Sequence, residues 1–266
     1  MFIYLFPNKA YQDSKIRYIL SDLTGLLKKF IAIEFDSHSD IQNQFELSKT
    51  IGSLKMEKLF KKEWNKFSQT VESPKHQNAS TQYYVYQYYL EAQNLETLQS
   101  RKGYAFLPQA TYSLESHFVA ERLRLACLGA GPQSVVDHSK SLTLLQSILE
   151  IVESGVFDES PAVIIYYYAY KMLFDNSEDF YFKLSKWLDT NWSLFPLAEV
   201  QDIYLLGINF CISKINSANR DFMRHAFDLY KSGLAKKAFM NDGYLSIHNY
   251  KNILRLGLTQ EAYEWT

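Results

Sequence analysis

Cysteine, proline and glycine are all scarce in this 266-residue chain: two Cys, six Pro and ten Gly. Against ordinary usage of about 7% Gly and about 5% Pro, the turn-formers run at about half their usual level. That shortage excludes a collagen-like or Gly/Pro-rich disordered chain. It also argues against a many-stranded β protein, which needs a turn signal about every 8–12 residues. Two cysteines are too few for a disulfide framework, and no C-x-x-C pair is present for zinc or redox work. Cys127 and Cys211 each lie within an apolar helical pattern, so buried thiols in a reducing, cytoplasmic compartment are expected. An excess of basic charge is missing as well. The 28 Lys and Arg against 29 Asp and Glu leave a net charge of −1, so nucleic acid is not expected as a partner. No apolar run reaches the roughly 20 residues of a membrane helix, so no membrane association is expected. The nearest stretch, residues 162–174, is interrupted by Lys171. The opening MFIYLF has neither a basic region nor a small-residue cleavage site, so a signal peptide is not expected.

What is present is apolar and aromatic. Hydrophobic residues make up 47% of the chain, with 20 Tyr, 18 Phe and 4 Trp. All six prolines (Pro7, Pro74, Pro108, Pro132, Pro161 and Pro196) fall between stretches of helical periodicity, and proline within a helix costs about 3 kcal/mol. The expectation is an all-α fold of about ten to eleven helices.

The first long helix is predicted over residues 12–35, with Ile16, Ile19, Leu20, Leu23, Leu27, Phe30 and Phe35 on a stripe facing the core. A second starts near Ile41 and breaks near Gly52. Residues 53–72 are amphipathic, with Met56, Phe60, Trp64 and Phe67 on one side. Lys55, Lys58, Lys62 and Lys66 form a row on the other side, about 150° away at the helical step. Such a row is normally a solvated face, and its alternative use is a surface for an acidic ligand. After a polar loop, residues 83–99 read as a helix. Tyr83, Tyr84, Tyr86, Tyr88 and Tyr89 cover nearly all its sides and are expected to be core.

Further helices are predicted over 109–128, with Leu114, Phe118, Leu123, Leu125 and Cys127 as apolar mass, and over 141–153. Ser160-Pro161 signals the start of the next, which is apolar all round to residue 174 and must be enclosed. Others are predicted over 179–190, 197–216, 220–236 (capped by Asn219) and 246–256, with a break at Gly257 and a final helix from Thr259. The predicted hairpins are 109–154, 161–190, 197–236 and 246–266.

No catalytic or metal constellation stands out. His117 with Glu121, and His225 with Asp221 and Asp228, share helix faces, and ion pairing is their expected role. G-x-S-x-G, Walker and H-E-x-x-H patterns are absent. The G-x-G at residues 129–131 lacks the preceding strand and third Gly of a dinucleotide turn. No catalytic residue, cofactor or metal site is expected.

Leu206-Gly207-x-x-Phe210 and Leu256-Gly257 resemble the Leu-Gly-x-x-Tyr part of a tetratricopeptide (TPR) first helix, with Ala226 or Ala262 as the small residue of the second. The Trp that opens the TPR consensus and its Gly-to-Ala spacing are not present. The stretches LFPNKAYQDSKIRYILSDL, ERLRLACLGAG, LFPLAEVQDIYLLGINFCISKIN and NDGYLSIHNYKNILRLGL are similar to a group of uncharacterised bacterial helical proteins, in which further helices flank these segments. The resemblance implies an irregular TPR-like solenoid and no activity. The expected organisation is one helical-hairpin array over 1–266, with a looser part over 1–75 and a TPR-like part over 78–266. The expected function is a non-catalytic scaffold for a protein or peptide partner. Binding of nucleic acid or another acidic ligand along the Lys55-Lys58-Lys62-Lys66 row is the alternative, and an enzyme on a helical scaffold is the third.

Overall fold

The computed structural model describes residues 12–34, 40–99, 104–129, 144–241 and 243–265. Among them are eleven α-helices: α1 (Asp13–Glu34), α2 (Asp40–Ser53), α3 (Glu57–Glu72), α4 (Ala79–Gln99), α5 (Leu107–Gly129), α6 (Leu145–Glu153), α7 (Pro161–Phe174), α8 (Glu178–Asn191), α9 (Leu197–Asn216), α10 (Phe222–Ala235) and α11 (Ile247–Thr259). A short 3-10 turn, Trp192–Leu194, follows α8. One hairpin, β1 (Met240–Asn241) with β2 (Tyr244–Leu245), is antiparallel with Met240 opposite Leu245. Gly243 lies at φ +85° in its turn, a conformation that side chains with a Cβ resist. Among the described residues no helix is long and apolar enough to cross a membrane.

The apolar residues form two clusters. The smaller gathers Ile41 and Phe45 of α2, Phe67 and Val71 of α3, and Val85 and Tyr88 of α4. The larger runs from the start of α4 to α11 and includes Leu123, Ile165, Met172, Leu184, Ile203 and Phe239. Helix α4 links them, since Ala79 belongs to the larger cluster and Tyr88 to the smaller. Its tyrosines divide accordingly. Tyr88 is buried, Tyr84, Tyr86 and Tyr89 are half-buried, and Tyr83 is exposed. Helix α7 begins with Pro161 in its first turn and is enclosed as its composition requires, packing on α5, α6, α8 and α9. Gly207, in the Leu-Gly pair of α9, sits where an added Cβ would lie 3.1 Å from Leu229 Cδ1. The glycine allows α9 and α10 this close approach.

Several expectations are corrected. The stripe of α1 does not face the core. None of its described side chains is buried, and Leu23, Leu26, Leu27 and Phe30 are each more than half exposed. Helix α5 pairs with α4 and α7 more than with α6, which replaces the predicted 109–154 hairpin. It buries a face of small side chains, including Ala110, Ser113, Ser116 and Ala120, which permit close packing. Leu114, Phe118 and Leu125 stay exposed on its other side. Pro108 falls inside the first turn of α5, where a missing N–H costs nothing.

Helix α10 begins at Phe222 after Asp221, so Asn219 is not its cap. Helix α11 runs through Gly257, which is buried, and residues 260–265 form turns rather than the start of another helix. Lys55 lies outside α3 at φ 57° and so leaves the predicted helical row. Phe35 of the first stripe, residues 130 and 131 of the G-x-G, and the start of the helix predicted at 141 fall outside the described residues.

Candidate functional site

The side chains singled out as conceivable catalysts or ligands do not converge. Among the described residues no group of three His, Cys, Asp or Glu could hold a metal. His117 Nδ1 donates to the carbonyl of Ala79 at 2.9 Å, while Glu121 pairs with Arg124 at 2.8 Å. The ring of His225 packs edge-on against Phe182 and Phe222, and Asp228 pairs with Lys231 at 3.0 Å. Both cysteines are buried, and burial pushes each thiol up to about 12, so neither carries the thiolate that a nucleophile needs. Of the lysine row, Lys66 pairs with Glu63 at 3.0 Å, and Lys58 and Lys62 are exposed on α3.

The opposite side of α3 carries an aromatic groove. Phe60 stacks on Trp64 at 5.5 Å between ring centroids, and Trp64 stacks on Tyr88 of α4 at 4.8 Å. Phe67 closes the floor edge-on to Tyr88 at 5.0 Å. Phe60, Trp64 and Phe67 thus follow one another along α3 at steps of four and three residues, and Phe60 and Trp64 stay half open. Two cavities flank them. One, of about 320 Å³, lies toward α2 between Phe45, Gly52, Trp64 and Leu95, with Lys49 and Glu91 at its rim. The other, of about 620 Å³, lies toward α5 between Phe60, Tyr88, Ala92 and Phe106, with Glu57 and Lys61 at its rim. Apolar walls with a sparse polar rim are the usual make-up of a binding groove. Gly52 keeps the α2 wall low, and an added Cβ there would meet the Phe60 ring at 3.3 Å. The spacing of Phe60, Trp64 and Phe67 was visible in the sequence, but a stripe alone does not say whether neighbours cover it.

A third cavity, of about 800 Å³, lies between α2 and the C-terminal part of α3, among Asp40, Gln44, Lys66, Gln69, Lys75 and His76. Burial, helped by nearby Lys75, lowers the pKa of His76.

A buried polar hub ties the N-terminal helices to the rest. Asn78 caps α4 through Oδ1, which accepts from the Thr81 amide at 3.1 Å. Its Nδ2 donates to Glu199 Oε2 of α9 at 2.7 Å. Tyr166 of α7 donates its hydroxyl to the other carboxylate oxygen at 2.8 Å. Next to these, the amide of Gln77 donates to the Leu194 carbonyl at 2.7 Å. Burial raises the Glu199 pKa, and the two hydrogen bonds and the charge of Arg124 offset only part of that rise. Ser160, expected to cap α7, instead shares a 2.6 Å hydrogen bond with Ser116 of α5.

Comparison with protein-family models, with curated proteins and with solved structures finds no match.

Proposed function

We propose that this chain is a non-catalytic interaction scaffold of irregular, TPR-like hairpin architecture that works in the cytoplasm and takes an amphipathic helix of a protein partner in its aromatic groove. The observation that supports this reading is the half-open Phe60–Trp64 stack between two cavities. Stacked aromatics on a rigid helical floor are the side chains that dominate binding energy at protein interfaces. The helical ligand follows from the shape, since cavities on both sides of a ridge accept successive apolar side chains at i and i+3 or i+4 spacing. The rim carries Lys49 and Lys61 with Glu57 and Glu91, so the polar face of that helix carries charges of both signs.

The test is site-specific photo-cross-linking in cells, from a benzophenone side chain at position 61 and, as a control, at exposed position 146 on α6. The expected result is an adduct at position 61 alone that maps to an amphipathic helical segment of one partner. Equal adducts at both positions, or an adduct mapping to a polar unstructured segment, would overturn the reading.

A further inference from the structure

Helix α1 carries an apolar stripe that the other described residues leave unburied. Leu20, Leu23, Leu26, Leu27 and Phe30 are all exposed. The stripe has a seven-residue repeat. Ile16, Leu23 and Phe30 form one set and Ile19 and Leu26 the other, the a and d spacing with which two helices interdigitate.

We propose that α1 pairs antiparallel with α1 of a second copy of this chain, an inference independent of the groove reading. A two-fold antiparallel pairing sets a positions against d positions. Leu23 of each copy lies opposite Leu26 of the other, and Ile19 opposite Phe30. The flanking positions then match as well. Leu20 of each copy meets Leu27 of the other, so extra leucines border the same seam. A parallel pairing would instead set Leu27 beside Asp22 and leave that charge unmatched. A self-complementary patch is what a two-fold interface requires. Covering about half of five large side chains on each copy removes on the order of 1,000 Å² in total, near the floor for a specific association. The dimer is therefore expected to be weak and reversible, with a Kd in the roughly micromolar range.

Sedimentation velocity on the full chain across about 1–100 μM tests this. The wild type should shift from monomer to dimer. Leu26→Asp should stay monomeric at every concentration with unchanged far-UV circular dichroism. Leu20→Glu and Leu27→Lys alone should each weaken the dimer by about tenfold, and the double exchange should restore much of it, as positions that face each other across the two copies demand. A wild type that is monomeric throughout overturns the proposal. So does a dimer insensitive to Leu26→Asp, which pairs through another surface. A double exchange that fails to restore association excludes the antiparallel register.

Discussion

Tyr166 and Glu199 meet at 2.8 Å, hydroxyl to carboxylate, inside the joint where α4, α7 and α9 converge. A carboxyl whose folded pKa lies above its unfolded value binds its proton more tightly in the fold. Its stabilising contribution is therefore present below the unfolded pKa and is lost as pH rises through the folded pKa. Burial sets that direction for Glu199, whose ordinary value is 4.5. Glu199→Gln should be tolerated, because Gln Oε1 accepts from Asn78 while its Nε2 donates to the Tyr166 oxygen. Urea unfolding should place Glu199→Gln within about 1 kcal/mol of wild type at pH 7 and show a smaller gain in stability on acidification. Glu199→Ala should cost about 1–3 kcal/mol, since it strands two buried donors.

Gly233 and Gly207 offer a paired test of packing at the α9–α10 end. A Cβ at position 233 would run into the ring of Phe239, which is held edge-on by Tyr204. At position 207 it meets the end of a flexible leucine instead. Gly233→Ala should lower stability by about 1–3 kcal/mol, as overpacked sites do. Gly207→Ala should cost less. The midpoints of chemical denaturation, at unchanged slope, check both.

Thiol chemistry should report unfolding rather than function. Both cysteines have pKa values pushed up to about 12 by burial, so at neutral pH they remain protonated and shielded. A chromogenic disulfide reagent should label neither thiol in the native protein and both in denaturant. Rapid labelling of either in the folded state would contradict their enclosure.

The sequence makes α9 and α7 legible because each is bracketed by Pro and turn residues and carries one consistent apolar pattern. The observed α9, Leu197–Asn216, spans the residues predicted. Helix α5 misleads because it has two competing faces. Leu114, Phe118 and Leu125 look like core, yet close helix packing selects the Ala and Ser face, and large side chains could not approach α4 and α7 so nearly. Helix α1 misleads in the opposite way, since a regular stripe is expected to be covered and the other described residues do not cover it. The Asn78–Glu199 contact joins positions 121 residues apart, and no local pattern encodes such a pairing. The groove was half legible: the aromatics of α3 stood out, while their partial cover depends on neighbours distant in the chain, such as Phe45 and Phe106.

The central claim is that the Phe60–Trp64 ridge holds a partner helix. The most direct measurement is calorimetric titration of the segment recovered by cross-linking against wild type and Phe60→Glu, with thermal unfolding of both proteins in parallel. The account predicts that the substitution weakens binding by about 30-fold or more, the scale of a hot-spot residue, while the half-open side chain leaves the unfolding midpoint little changed. Equal affinities for the two proteins would contradict it.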